Sequence, residues 1–254
     1  MKRSNLEHLL RAAGDIVKDT QFLVLGSQAI LGKYPDAPDE LLWSMEVDLV
    51  AKNKPELTEQ LNSIGEDSEF HRLFGYYADP ITEKTAILPR GWKSRLINVN
   101  SPQTNGVTGL CLDPHDLFVA KVAAYRPKDI DYVRVMIAHG MVGKDRALEL
   151  AATVSNPEDD LKLTARIIER ITGLFAGVDQ TKTVQINEVS GRYTGKIIST
   201  TETVAQQEIE MGRVVFHQAS KIDARPRLGK TYTIEYKDGR GYVSDKDVDR
   251  GPSR

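Results

Sequence analysis

The sequence has 254 residues, of which 40% are hydrophobic and 28% charged, and its formal net charge is −2. A chain of this length buries one substantial core, or a medium domain and a small one. No apolar run is long enough to span a bilayer and the first residues lack the apolar stretch of a signal peptide, so we expect a cytoplasmic protein without a membrane partner. The single cysteine, Cys111, excludes an intrachain disulfide, and the five histidines lack the spacing of a zinc site.

The first elements of the chain predict a helix followed by a buried strand. The apolar residues of segment 5–17 recur on one face of an amphipathic helix. Residues 21–25 form a short apolar run that ends at Gly26 and Ser27, which predicts a strand that turns tightly into a helix. The backbone N–H groups of such a turn can bind phosphate.

The next predicted strand carries two carboxylates. Acidic and apolar residues alternate in segment 44–50, so Glu46 and Asp48 lie on one face while Val47 and Leu49 enter the core. Oxygen ligands at this spacing suit Mg²⁺ (or Mn²⁺), which binds one or two carboxylates together with substrate phosphates. Taken alone, the pattern is also typical of acids that solvate the exposed edge of a strand.

Further elements are indicated before residue 100. Residues 55–64 predict a helix that begins at Pro55 and ends at Gly65. The aromatic segment 70–79 is predicted to run into a strand, and segments 85–88 and 95–99 predict two more. Asp79 is the candidate for a third carboxylate near this sheet, although an aspartate before proline is also a common turn former.

From Asp113 onward the pattern becomes helical. Helices are predicted to begin at Pro114 and at Pro127, and to cover residues 144–153 and 157–175. A charged cluster joins the first two of these helices and consists of Asp116, Lys121, Arg126, Lys128, Asp129 and Asp131. Charge runs of this kind usually form local ion pairs at a solvated helix junction.

The last part of the chain is predicted to be all-β. Strands are indicated at residues 191–198, 212–217, 230–236 and 241–243, with a hairpin turn at Asp238-Gly239. Four or five such strands would form a small barrel. Its basic and aromatic side chains either form the ordinary polar outside of a barrel or bind single-stranded nucleic acid. These side chains are Arg192, Arg213, Lys221, Arg225, Arg227, Lys230, Tyr193 and Tyr232. Residues 178–254 carry 13 basic against 11 acidic side chains, which favours neither alternative.

These patterns predict an α+β protein in four parts. Residues 1–177 form a domain with a mixed sheet, flanking helices and a helical bundle, and residues 178–189 form a linker. Residues 190–246 form the small barrel-like β domain, and residues 247–254 form a flexible tail.

Two sets of motifs resemble known families. Gly26-Ser27 followed by Glu46-Val-Asp48 resembles the nucleotidyltransferase superfamily, whose signature is a Gly-Ser turn before an acid-hydrophobic-acid strand, usually with Asp where this chain has the longer Glu46. Lys121 and Arg126-x-Lys128-Asp129 are similar to helical elements of its minimal bacterial members, including toxin-type enzymes. The segments Gly-Arg-Tyr-x-Gly-Lys-Ile and Gly-Arg-Val-Val-x-His, and the closing Tyr-x-Asp-Gly-Arg-Gly, resemble the KfrB-type domain of plasmid-encoded proteins.

The first resemblance implies a nucleotidyltransferase-type mixed sheet and transfer of a nucleoside monophosphate from an NTP to a hydroxyl of RNA, protein or a small molecule. Glu46 and Asp48 would hold Mg²⁺ (or Mn²⁺), and Asp79 would be the third catalytic acid. The triphosphate would be bound by Gly26, Ser27, Lys121, Arg126 and Lys128. The toxin-type members imply a toxin–antitoxin or mobile-element system with a cognate antitoxin partner. The alternative is an inactive nucleotidyltransferase fold that serves as a plasmid-associated regulatory module or binds RNA or DNA.

Overall fold

The computed structural model describes residues 1–154, 161–177, 184, 186–201, 203–210 and 213–245. The chain forms two compact units. The first consists of Met1–Tyr125 with Met141–Phe175, and the second of Arg126–Gly140 with Ala176–Arg254. The predicted linker lies largely outside the described residues, and the predicted tail lies entirely outside them. Within the part of the chain that is described, no helix is long and apolar enough to cross a membrane.

A mixed five-stranded sheet, formed entirely within residues 21–111, organises the first unit. Its strands are β1 (Gln21–Val24), β2 (Glu46–Ala51), β3 (Tyr77–Pro80), β4 (Ile97–Val99) and β5 (Thr108–Cys111), in the order β3-β2-β1-β5-β4. β1 pairs antiparallel with β2 and parallel with β5, whereas β2 pairs parallel with β3 and β4 pairs antiparallel with β5. The predicted mixed sheet of an α+β fold is therefore confirmed.

Several helices accompany this sheet in the first unit. They are α1 (Arg3–Val17), α2 (Glu69–Phe74), α3 (Pro114–Ala124), α5 (Lys144–Ala151) and α6 (Leu161–Gly177), while α4 (Pro127–Ala138) belongs to the second unit. Short 3-10 helices span Ser27–Gly32, Asp39–Leu41, Pro55–Ile64, Glu83–Thr85, Trp92–Arg95 and Pro102–Thr104. The apolar stripe predicted for α1 is buried, and Asp113 caps α3 by accepting a hydrogen bond from the His115 backbone N–H at 2.8 Å.

One local prediction for the first unit is wrong, and two elements were not predicted. Segment 85–88 forms no strand: Thr85 ends a short 3-10 helix, and Ile87 is 39% exposed. Segment 70–79 does run into a strand, which is β3, but α2 precedes it and was not predicted. The Ser68 hydroxyl caps that helix and Gly75, at φ 74°, ends it. β5 was not predicted, because a four-residue strand that contains Gly109 gives little periodic signal.

The second unit contains α4 and an antiparallel sheet. Among its described residues the sheet has five strands in the order β10-β9-β6-β7-β8. They are β6 (Arg192–Thr200), β7 (Val204–Glu208), β8 (Val214–Gln218), β9 (Thr231–Lys237) and β10 (Arg240–Asp245), of which β7 was not predicted. Asp238 and Gly239 both have positive φ, 49° and 84°, as the predicted two-residue hairpin requires. For the described residues between 190 and 245, the all-β prediction is confirmed.

The two tyrosines that one of the alternatives placed on a nucleic-acid face lie in the core of this sheet. Tyr193 and Tyr232 are each 9% exposed and pack with Ile197, Ile234 and Tyr236. The reason is the two-residue period of a strand, which places Tyr193 on the same face as Ile197, and Tyr232 on the same face as Ile234 and Tyr236. Of the two alternatives for this surface, the one in which bases stack on Tyr193 and Tyr232 therefore disagrees with the burial of both rings.

Candidate active site

The turn after β1 brings Gly26 against the side chain of Asp48. The Leu25 backbone N–H donates a hydrogen bond to the Asp48 carbonyl oxygen at 3.2 Å, which joins the end of β1 to β2. A Cβ atom on residue 26 would overlap Oδ2 of Asp48. Gly26 has an ordinary φ of −96°, so the requirement for glycine here is one of space and not of backbone conformation.

Three carboxylates share one face of β2 and β3. The parallel pairing sets Asp48 opposite Asp79 and Glu46 opposite Tyr77. Paired residues project to the same face of a sheet, and neighbouring strands lie about 4.8 Å apart. Val47 points the other way and is fully buried. Glu46, Asp48 and Asp79 therefore form one cluster, which we call the acidic face.

The neighbouring acids of the acidic face act on the pKa of Asp48. Burial, followed by the charges of Glu46 and Asp79, raises the pKa of Asp48 to about 6, and the charge of Lys121 opposes this rise. Ionisation of Asp48 beside the other two acids therefore costs free energy in the protein alone. A cation bound among them would relieve the repulsion.

Lys121 connects α3 to the Gly-Ser turn. Lys121 is 8% exposed, and its Nζ donates a hydrogen bond to Oγ of Ser27 at 2.9 Å. Its effect on Asp48 shows that the ammonium group also acts on the acidic face. The first unit therefore combines a carboxylate cluster, a buried ammonium group and the start of the 3-10 helix Ser27–Gly32 in one place.

A divalent cation would have to share this place with a substrate. Among the described residues, no three Asp, Glu, His or Cys side chains are arranged to hold a metal ion by themselves. Mg²⁺ commonly keeps several waters and binds one or two carboxylates plus substrate phosphates. Glu46 and Asp48 fit that mode of binding, because their oxygen atoms are the hard ligands that Mg²⁺ and Mn²⁺ prefer.

The rest of the predicted charged cluster is divided into separate ion pairs. Arg95 makes a bidentate pair with the buried Asp116, with Nε–Oδ2 at 2.8 Å and Nη2–Oδ1 at 2.7 Å. Arg126 pairs with the buried Asp129 at 2.6 Å, and its own side chain is 61% exposed. Lys128 is exposed. Arg126 and Lys128 belong to the second unit, and their binding of a triphosphate stays a prediction.

Two residues of this site were not predicted. Tyr77 lies opposite Glu46 in the parallel strand pair, and burial, followed by the charges of Glu46, Glu66 and Asp79, raises the pKa of Tyr77 to about 12. Counting back two residues from Asp79 along a strand would have placed Tyr77 on the acidic face. Gln28 is fully buried and donates through Nε2 to the Ser44 carbonyl oxygen at 2.9 Å. No sequence pattern indicates that contact.

Comparison with known families agrees with both resemblances. The family described as Nucleotidyltransferase of unknown function (DUF6036) matches residues 4–151, more than half of the chain, and the KfrB Domain family matches residues 192–245. No curated protein and no solved structure matches the chain. The first match includes Gly26, the acidic face and Lys121. The chain belongs to the DUF6036 nucleotidyltransferase family and carries a KfrB domain at residues 192–245.

Proposed function

We propose that the first unit is a magnesium-dependent nucleotidyltransferase that transfers a nucleoside monophosphate from an NTP to a hydroxyl acceptor. The observation that supports this most directly is the pairing of Asp48 with Asp79 in adjacent parallel strands, with Glu46 on the same face. Lys121 and Ser27 add a cation and a hydroxyl beside these acids. Opposite charges at one site suit a reaction in which a hydroxyl attacks and pyrophosphate leaves.

Each side chain has its own task in this reaction. The acceptor oxygen attacks the α-phosphorus while the bond to the bridging oxygen of the β-phosphate breaks and pyrophosphate leaves. Asp79 would accept the proton of the hydroxyl. Lys121 and Ser27 would bind the β- and γ-phosphates and offset the charge of the pyrophosphate. Mg²⁺ held by Glu46 and Asp48 would screen the α-phosphate and favour ionisation of the acceptor.

The decisive experiment uses two labels. The protein is incubated with Mg²⁺, with each NTP in turn and with total cellular RNA or protein, the NTP carrying radioactive phosphorus at either the α or the γ position. We expect label from the α position to reach a macromolecule or a small acceptor, and label from the γ position to stay with pyrophosphate. Transfer of γ label would instead indicate a phosphotransferase and would contradict the proposal.

A pair of variants assigns the activity to the acidic face. Asp48→Ala should abolish transfer, whereas Glu56→Gln, which alters an exposed acid of the 3-10 helix Pro55–Ile64, should leave it unchanged. Transfer retained by Asp48→Ala would overturn the assignment. If the wild type neither transfers label nor binds any NTP with Mg²⁺ at millimolar concentrations by calorimetry, the inactive regulatory or nucleic-acid-binding alternative is favoured.

A toxin role within a toxin–antitoxin or mobile-element system is part of the same proposal. It rests on the resemblance of Lys121 and Arg126-x-Lys128-Asp129 to toxin-type nucleotidyltransferases. Expression of the wild type should then arrest growth, Asp48→Ala should not, and a protein encoded next to it should relieve the arrest. Normal growth at high expression of active enzyme would contradict this role.

A further inference from the structure

One surface of the antiparallel sheet in the second unit combines exposed cations with an exposed aromatic ring. It lies on β6, β9 and β10, on the side opposite the core, and we call it the basic face. Its residues are Arg192, Lys196, Lys237, Arg240 and Tyr242. Of these, Arg192 alone also belongs to the nucleic-acid face considered from the sequence. We propose that the basic face binds single-stranded RNA. The inference goes beyond the proposed function, because it concerns the second unit and requires neither an NTP nor Mg²⁺.

Strand alternation separates the basic face from the core. In β9, Ile234 and Tyr236 belong to the buried core cluster, so Glu235 and Lys237 project from the opposite side. Tyr242 of β10 pairs with Glu235 and therefore shares that side. Tyr242 is 46% exposed, whereas Tyr236 is 1% exposed. One tyrosine thus packs in the core, and the other presents its ring to solvent.

Positive charge surrounds this exposed ring. Arg240 lies two residues before Tyr242 in β10, on the same side, and pairs with Lys237 of β9. Arg192 of β6 lies two strands from Tyr242, at a backbone separation of about 10 Å. Among the described outward positions of these three strands, Glu235 is the one acid, and its carboxylate lies 3.7 Å from Nζ of Lys237. Four cations against one acid leave the face with a surplus of positive charge.

Neutral hydroxyl groups occupy the next row of the face. Thr233 of β9 pairs with Thr194 of β6 and with Ser244 of β10. The two threonine hydroxyl oxygens are hydrogen-bonded at 2.8 Å, and the Ser244 hydroxyl donates to the Thr233 carbonyl oxygen at 3.1 Å. Hydroxyl oxygens have two lone pairs, so they can accept further hydrogen bonds. The face ends at β7, where Glu208 lies opposite Lys196.

This combination of groups suits a single strand of RNA. Basic side chains neutralise the phosphates of a strand, and an exposed aromatic ring stacks on an unpaired base. The bases of a duplex stack on one another, so a duplex could offer the face its phosphates alone. The 2′-hydroxyl groups of RNA can donate to the row of hydroxyl oxygens, which DNA cannot do. An acidic protein segment would complement the charge, but it has no bases to stack on Tyr242.

Fluorescence anisotropy of a labelled oligoribonucleotide, about 16 nucleotides long and without self-complementarity, tests the proposal. The full-length protein is titrated in EDTA without NTP, so that no divalent cation is bound at the acidic face. We expect the RNA to bind more tightly than single-stranded DNA of the same sequence, the RNA duplex or polyglutamate. Equal or tighter binding of any of these three would overturn the assignment to single-stranded RNA. Absence of RNA binding at about 0.1 mM protein in low salt would overturn it as well.

Variants locate the binding on the basic face. Tyr242→Ala should weaken RNA binding about tenfold, as loss of one base stack does, whereas Tyr242→Phe keeps the ring and should bind like the wild type. Arg240→Ala should reduce the slope of log affinity against log salt concentration by about 0.7, the value for one phosphate contact in a single strand.

The matched control is Arg225→Ala. It removes an exposed cation between β8 and β9, in a segment whose Ile222 packs in the core cluster, and should change neither affinity nor slope. Equal effects of Arg225→Ala and Arg240→Ala, or wild-type affinity in Tyr242→Ala, would overturn the inference. Thermal unfolding confirms that the variants are folded. Because these measurements contain no NTP, their outcome is separate from that of the label-transfer experiment on the proposed transferase.

Discussion

Replacement of Asp48 by asparagine tests the electrostatics of the acidic face, because it removes one charge and keeps the shape of the side chain. The pKa of Asp48 is raised from 3.8 to about 6, first by burial and then by Glu46 and Asp79. The folded state therefore binds this proton more tightly than the unfolded state. Stability is lost as the pH rises from about 4 to about 6, and the loss stays complete at higher pH.

The magnitude follows from the size of the shift. One pKa unit corresponds to about 1.4 kcal/mol, so ionised Asp48 lowers the free energy of unfolding by about 3 kcal/mol at pH 7. Asp48 is partly accessible to water, and screening reduces this figure to about 2 kcal/mol. In a protein of this size, such a change moves the melting temperature by about 4–8 °C.

Thermal unfolding at two pH values provides the assay. At pH 7.5 Asp48→Asn should melt about 4–8 °C above the wild type, and at pH 4 the two proteins should melt together. Mg²⁺ should raise the melting temperature of the wild type only. Equal melting at pH 7.5, or the same gain at both pH values, would refute the reasoning. Asp19→Asn is a control of opposite sign, since it should destabilise the protein at pH 7.5.

Three further predictions concern single contacts. Gly26→Ala should abolish Mn²⁺ binding, because the new Cβ overlaps the Asp48 carboxylate, and an unchanged Mn²⁺ affinity would contradict this close approach. The control variant Gly173→Ala, which has open space around it in α6, should raise the free energy of unfolding by about 1 kcal/mol. Lys121→Met should raise the pH midpoint of Mn²⁺ binding, because Lys121 lowers the pKa of Asp48; an unchanged midpoint would argue against this effect. Burial lowers the pKa of His217 to about 3, so on acidification the imidazole is protonated in the unfolded state before it is protonated in the folded state. Urea unfolding should therefore show that the free energy of unfolding falls by about 2–3 kcal/mol between pH 7 and pH 4.5. His217→Gln should not show this fall.

The acidic strand was predictable because its signal is local. Alternation in residues 44–50 placed Glu46 and Asp48 on one face, and the structure agrees. The position of Asp79 depends on the register between β2 and β3, two strands separated by a 3-10 helix and α2. No periodic pattern encodes a register between distant strands, so a local argument could name Asp79 as a candidate but could not align it with Asp48.

The charged cluster near α4 also shows that a local sequence pattern does not identify partners that are distant in the chain. In the sequence, Asp131 belongs to a run of charged residues that is typical of a solvated surface, but in the structure it is only 4% exposed. Its Oδ2 accepts hydrogen bonds from the hydroxyl groups of Thr201 and, at 2.7 Å, Thr203. These partners lie about 70 residues away in sequence. Charge spacing along one helix contains no information on such partners, which is why α4 was expected to belong with the helices of the first 177 residues.

Two aspartates at opposite ends of the β1–β2 pair show how differently this fold treats buried carboxylates. Asp19, before β1, is 4% exposed and accepts hydrogen bonds from the backbone N–H groups of Gln21, Asn53 and Lys54. Burial acts to raise the pKa of Asp19, but the hydrogen bonds from Asn53 and the backbone outweigh it and lower the pKa. That carboxylate therefore stabilises the fold above its ordinary pKa.

Asp48, at the other end of the strand pair, has the opposite environment. It is packed against Gly26 and faces two further acids, and its ionised form destabilises the protein. An acid that only solvates the edge of a strand would have neither this burial nor these neighbours. A raised pKa in a cluster of like charges is typical of functional sites, because the repulsion is offset when a cation binds. The contrast between Asp19 and Asp48 therefore favours a cation-binding role for the acidic face over the alternative of a solvated strand edge.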